Sequence, residues 1–238
     1  MLHETLRLVI THSLSSLSLS NNRLTEIPRA ISQLQSLREL NLSLNYISAL
    51  PDELFQLTQV LLLLSCIVQR VSMRALNVCV CIFGANQLSV LDVSSNKLLS
   101  IPSHVSRLVS LEDLLLSCNE LVELPSEICS LSSLMGLSLH HNALDHRSFP
   151  SDLSQLTNLL ALDLSYNLFG EIPPQICFLS SLQELVFSYN KLTYVREEKL
   201  PLSKLSSLLL LDLSHNQLTK FGPVASMYAQ PTLLSLRI

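Results

Sequence analysis

Two adjacent histidines, His140 and His141, are followed by Asp163 and Asp212 at places where the chain repeats one pattern. An imidazole and a carboxylate are the parts of a general acid–base pair if both reach one reacting atom. The spacing argues against that here. His141 and His215 hold equivalent places three repeats apart; at about 4.8 Å per parallel strand they stand roughly 14 Å from one another, too far to share a metal or a proton. His140 and His141, being chain neighbours, need not converge. No G-x-S-x-G nucleophile elbow, H-E-x-x-H zinc pair or phosphate-cradling glycine loop occurs, and the chain holds only 4 Gly. Cys79 and Cys81 form a C-x-C pair, whereas a structural zinc wants four ligands. We therefore expect no catalytic site, no metal and no cofactor.

What positions these residues is a repeated unit, written most clearly from Leu111 to Ser133 as LEDLLLSCNELVELPSEICSLSS. Leu114 and Leu116 alternate with Asp113, Leu115 and Ser117, which is a short strand with one face inward. Asn119 follows where the strand turns away; its amide can both donate to and accept from backbone groups left unpaired by the turn. Pro125 sets φ for a short helical segment, Glu127 suits its first turn, and Ile128 and Leu131 supply its buried side. Eight such units open at Leu14, Leu37, Leu88, Leu111, Leu134, Leu159, Leu182 and Leu208, and each carries the turn Asn, from Asn22 to Asn216. Ala143 to Pro150 adds two residues to one unit, and the charged run Arg196 to Lys199 marks another stretched by three. Leu233, Leu236 and Ile238 read as the strand of one more.

Over essentially its whole length the sequence resembles the leucine-rich repeat proteins. The 23-residue spacing and the L/I-P-x-x-I/L-x-x-L tail are most similar to the intracellular, Ras-group subset. The resemblance implies an α/β solenoid: a right-handed horseshoe with a parallel sheet on its concave side and short helices or 3₁₀ turns on its convex side. It also implies a module that binds a protein partner on the concave face, acting as a scaffold in intracellular signalling. We expect one domain over 1–238, with irregular segments at 1–13 and 66–87, regular repeats over 14–58 and 88–232, and a partial repeat at 233–238. No capping module is expected before the first repeat, and the chain is expected to stop inside the solenoid.

Composition agrees. Hydrophobic residues make up 48% of 238 residues, with no Trp, which suits a Leu-filled core. Each fully buried Leu contributes roughly 1.5–3 kcal/mol. A net charge of −4 and 14% charged residues leave no basic footprint, so nucleic acid is not expected as a partner. No apolar run reaches the ~18 residues of a spanning helix, and Leu8 to Ile10 is too short for a secretory signal. Cys129 and Cys177 hold the same place two repeats apart, roughly 10 Å and beyond disulfide reach, so they read as small core residues. With no Cys-rich cap at either end, a reducing, cytoplasmic setting is expected. The sequon Asn41-Leu42-Ser43 falls on a strand rather than a loop.

The template fails between Cys66 and Gln87. Leu62 to Cys66 reads LLLSC, like Leu114 to Cys118, but Ile67 stands where the other has Asn119, and no Pro-containing tail follows. Three readings stand: a degenerate repeat whose VCVCIF run still pairs as a strand, a thiol or metal site at Cys79 and Cys81, or a segment absent from the mature protein, such as a retained intron. A local departure is expected there, with intact repeats on both sides.

The template also says which residues face away from the core. Directly before each turn Asn stand Asn21, Leu44, Ser95 and Cys118, then His141, Tyr166, Tyr189 and His215, so large rings appear only in the C-terminal half. Beside them lie His140, the acidic Asp163 and Asp212, and Glu184. Either the rings merely support one another, or they anchor a partner that carries basic and apolar groups. We take the second as the expectation, with His140, His141, Asp163, Tyr166, Glu184, Tyr189, Asp212 and His215 as the partner-binding set. The competing assignment is the recognition domain of a larger kinase, GTPase or receptor.

Overall fold

The computed structural model describes residues 14–57, 88–195, 204–221 and 232–238. Nine three-residue strands form one parallel sheet: β1 (Ser16–Ser18), β2 (Glu39–Asn41), β3 (Val90–Asp92), β4 (Asp113–Leu115), β5 (Gly136–Ser138), β6 (Ala161–Asp163), β7 (Glu184–Val186), β9 (Leu210–Asp212) and β11 (Ser235–Arg237), in that order. Two residues each of β8 (Tyr194–Val195) and β10 (Lys220–Phe221) pair as a second, smaller parallel sheet. The register is in step throughout. Leu17, Leu40, Leu91, Leu114, Leu137, Leu162, Leu185, Leu211 and Leu236 stand opposite one another in a single row. From Leu40 to Leu211 that row is buried, and the residues on either side of it along each strand point away from the core. A one-residue slip would turn the whole Leu set to the other face, so the period-2 pattern holds the register.

Leaving the sheet, the chain forms short 3₁₀ segments at Arg29–Gln33, Asp52–Gln56, Ser103–Arg107, Ser126–Ser130 and Pro174–Phe178. Each is preceded by a proline, at Pro28, Pro51, Pro102, Pro125 and Pro173, whose ring fixes φ for entry. Ile31, Val105, Ile128 and Ile176 are buried residues of these segments. The short spacing of the repeats leaves no room for a longer helix, and the tighter 3₁₀ turn is used in such short pieces. In the expanded unit after β5, a turn takes that place. The Ser148 hydroxyl donates to the Val122 carbonyl at 2.7 Å and accepts from the Asp145 N–H at 2.7 Å. The extra residues are thereby tied to the preceding repeat.

Strands β2 and β3 are direct neighbours, with Glu39 opposite Val90 and Leu40 opposite Leu91. The repeats on both sides of the irregular stretch are thus in register, while Cys66–Gln87 itself, with Cys66, Cys79 and Cys81, lies outside the described residues. So do residues 1–13 and the run Arg196 to Lys199. Among the described residues no helix is long and apolar enough to cross a membrane.

Candidate functional site

The surface is built on an asparagine ladder. The Asn119 amide donates to the carbonyls of Leu116 (3.0 Å) and Ser117 (3.2 Å) in its own repeat and of Val93 (3.1 Å) in the one before; its Oδ1 accepts from the Leu98 N–H at 3.0 Å. Asn45, Asn96, Asn142, Asn167, Asn190 and Asn216 do the same one repeat apart. One side chain therefore closes its own turn and clamps it to the neighbouring repeat.

Each clamp forces the residue before it into the left-handed region. Asn21, Leu44, Ser95, Cys118, His141, Tyr166, Tyr189 and His215 all have φ between 52° and 56°. A second device sits three residues before the left-handed position on four of the turns. The Asn41, Asp92, Asp163 and Asp212 side chains accept from both the N–H and the hydroxyl of Ser43, Ser94, Ser165 and Ser214, at 2.6–3.0 Å. Asn41 of the sequon is engaged in this way.

Identical backbone geometry sends equivalent side chains off in the same direction, just beyond the end of each strand. The rings of His141, Tyr166, Tyr189 and His215 consequently stack in one ladder: centroids are 4.0, 4.1 and 4.0 Å apart, with planes within 13° of parallel. His140 meets His141 edge-on at 5.6 Å. The π faces cover one another, leaving edges and polar tips outward. Tyr166 is 40% and Tyr189 41% exposed. The neighbouring Tyr189 hydroxyl, and then slight desolvation, holds the Tyr166 phenol above its ordinary value.

The acidic flank differs from the expectation at one residue. Glu184 is exposed on β7 and Asp163 is half-buried on β6, but Asp212 is buried. Its carboxylate accepts from Ser214 and faces the Arg237 guanidinium of β11 at 3.4 Å. Burial raises its pKa, and the Ser214 and Arg237 contacts outweigh that, so it lies below the ordinary 3.8. Asp212 is therefore a turn anchor, and Arg237 puts a positive charge where the sequence suggested a negative rim. Val186 separates Asp163 from Asp212 across the sheet. Among the described residues no three His, Cys, Asp or Glu side chains group as metal ligands.

Two further features carry no local signature in the sequence. Lys97 lies over the Tyr46 ring at 5.3 Å, and the exposed Leu44 and Tyr46 line a depression with Asn21, Arg23 and Ser95 at the other end of the same edge. Burial pushes the Cys177 thiol up to about 11, with an opposing effect from Lys204. Burial, then Asp152, raises that of Cys129, whose Sγ lies 2.9 Å from the Asp152 carbonyl.

Family models described as leucine rich repeat match residues 12–65 and 158–179. A leucine-rich repeat protein of Leptospira interrogans superposes over 93% of this chain, at a TM-score of 0.67 and 29% identity. This is a leucine-rich repeat protein. Two further structures share the fold. Internalin C2 of Listeria monocytogenes matches at a TM-score of 0.69 and 24% identity, over 94% of this chain and 80% of its own. A chain from the octameric complex of Latrophilin 3, Unc5D and FLRT2, in which FLRT2 supplies the leucine-rich repeats, matches at 0.71 and 23%, over 93% of this chain. The repeats span 54% of the Leptospira chain and 60% of the one in the octameric complex. No curated protein matches the chain.

Proposed function

We propose that this leucine-rich repeat protein is a non-catalytic interaction module that seats a protein partner on the ring ladder from His141 to His215. The observation that carries this is the stack itself: four rings held by strained, left-handed turns present a continuous strip of aromatic edges and hydroxyls to solvent. Tyr and other large rings are common anchors at interfaces because they bring area at low entropy cost. With Glu184 exposed and Asp163 half-buried beside the strip, the fitting partner carries apolar groups and a few basic ones, and nucleic acid fits poorly. His140 completes the strip at one end. Asp212 acts through the turn it anchors.

The 23-residue spacing and free thiols at Cys118, Cys129 and Cys177 support a reducing, cytoplasmic setting and a scaffold of the Ras-group kind in signal transduction. A second reading is favoured by the lengths of the similar chains: these repeats act as the recognition part of a longer enzyme or receptor.

The test is a quantitative pull-down from source cells with the natural protein and with Tyr166→Ala/Tyr189→Ala, followed by calorimetry on any protein retained by the first alone. Each single substitution is expected to weaken binding by more than ~1 kcal/mol, and Ser18→Ala to change it little. Tyr→Phe at either site keeps the stack, so a loss there assigns the hydroxyl to the partner. Unchanged affinity in the double variant moves the site to the convex face or to Arg196–Lys199.

A further inference from the structure

The interface between β2 and β3 has the bonds that join neighbouring repeats elsewhere. The Asn96 amide donates to the Leu42 carbonyl at 3.1 Å and its Oδ1 accepts from the Ile47 N–H at 2.9 Å, as Asn119 does to Val93 and Leu98. The Leu42, Leu44 and Asn45 N–H groups donate to Asp92, Ser94 and Ser95, and Lys97 N–H to Ile47. Asp52 on one 3₁₀ segment meets His104 on the next at 2.8 Å. Yet these bonds span far more chain than their equivalents. The Ile47 to Asn96 bond joins positions 49 apart, where Leu98 to Asn119 and Phe169 to Asn190 join positions 21 apart. The Asn96 to Leu42 bond spans 54, where Asn119 to Val93 and Asn190 to Leu164 span 26. Both bonds show the same excess, and it equals the length of the block from Val60 to Gln87.

The sequence locates that excess. In the other repeats the last core Leu precedes the first Leu of the next by three positions: Leu34 and Leu37, Leu108 and Leu111, Leu131 and Leu134, Leu156 and Leu159, Leu179 and Leu182, Leu205 and Leu208. Leu57 and Leu88, both buried, hold the two places here. They fall three apart if Val60–Gln87 is taken out, giving L-T-Q-L-S-V-L-D-V-S-S-N, a regular repeat. Leu62 to Cys66 cannot serve instead. A unit in register with Leu57 would open at Val60, bringing Ser65 to the place that Leu116 holds in the unit from Leu111 to Ser133 and Val68 to that of Asn119. Aligning Leu62 with Leu114 instead brings Ile67 to the place of Asn119, so no turn Asn closes the strand.

The ends of this block also admit the dinucleotides that splicing requires. Every Val codon begins with GT, the donor dinucleotide, and Gln59 before it allows the CAG that commonly precedes a donor. Gln87 allows CAG, which ends in the acceptor AG. The block is a whole number of codons, so reading through it keeps the frame.

We infer that Val60–Gln87 is the translation of a retained intron, and that the functional protein joins Gln59 directly to Leu88. The joined chain has no cleavable basic residue between Arg38 and Lys97, so trypsin releases Glu39–Gln59 fused to Leu88–Lys97 as one peptide. The longer chain is cut at Arg70 and Arg74 as well. Sequencing the messages from source cells, with peptide mapping of the protein, is the experiment. A message lacking codons 60–87, alone or beside the longer one, together with the fused peptide, is the expected result. Only the longer message, or a CAA codon at Gln87, overturns the inference. As an independent arm, the chain with 60–87 deleted should melt cooperatively at or above the midpoint of the full chain, with slow exchange retained at the Ile47 and Leu98 amides. Failure of that chain to fold overturns the inference too.

Discussion

Replacing Asn119 by Ala, alone and together with Asn142, measures how the repeats are joined. Asn119→Ala strands the buried Leu98 N–H, which costs about 1–3 kcal/mol. Three carbonyls lose a donor but keep another: Val93 retains Asn96, Leu116 retains Asn142, and Ser117 retains the Ser95 N–H. At about 0.5–1.5 kcal/mol for each lost bond, the single substitution should cost about 3–7 kcal/mol. Asn142→Ala should cost somewhat less, because its surroundings are only partly buried. The double variant does something neither single one does: the Leu116 carbonyl, which accepts from Asn119 and Asn142, loses both. Its loss should therefore exceed the sum of the singles by about 1–3 kcal/mol. Asn119→Ala with Asn190→Ala shares no carbonyl and should add within ~0.5 kcal/mol. Urea unfolding followed by far-UV circular dichroism, at a fixed concentration of stabilising osmolyte to keep the double variant folded, gives all of these free energies. Additivity in the adjacent pair would refute the shared-carbonyl account of inter-repeat coupling.

Other consequences are smaller. Leu44 pairs φ of 56° with 56% exposure, so Leu44→Asn should stabilise by about 1 kcal/mol, since Asn tolerates the left-handed region better than a bulky side chain; a lowered thermal midpoint would contradict this. Asp212 has a folded-state pKa below its ordinary value, so its contribution is present above pH ~4 and is lost as pH falls through the folded value. Asp212→Asn, which should keep the Ser214 bonds as Asn41 keeps those of Ser43 but loses the charge that faces Arg237, is expected to flatten the acid limb of the melting profile by lowering the neutral-pH midpoint toward the acid one. An unchanged acid limb would remove Asp212 from the account. Iodoacetamide at mildly alkaline pH should modify Cys118 before Cys177, whose thiol is pushed up to about 11; peptide mass spectrometry reads the order, and equal rates would show the Cys177 site to be open.

The strands, the Pro-led turns and the Leu core were legible because each has a local cause: period-2 Leu for the sheet, a Pro that fixes φ before each 3₁₀ segment, and an Asn wherever the chain turns. The ring row was legible for the same reason, since equivalent positions in a repeat must stack. The fate of Asp212 was not. Its pairing depends on Arg237, which is 25 residues away in sequence and reaches it only because β11 pairs with β9. Nor could the pattern reveal that His141, Tyr166, Tyr189 and His215 occupy left-handed backbone, because the equivalent positions are filled by residues as different as Leu44, Ser95 and Cys118, none of which signals it.

That strain bears on function. Left-handed φ costs an ordinary residue roughly 1–2 kcal/mol, and successive turns accept it because the Asn clamp behind each one over-determines the backbone. A side chain on such a turn has little freedom to move, so the ring ladder is rigid before any partner arrives. Stacking adds to this, at about 0.5–1.5 kcal/mol per pair. A partner that docks on it meets little ordering cost on this side of the interface. The same clamp lets the exposed residue vary from Asn21 through Leu44 and Cys118 to Tyr189 at one backbone geometry, so on the proposed reading the choice of partner is separate from the stability of the repeats.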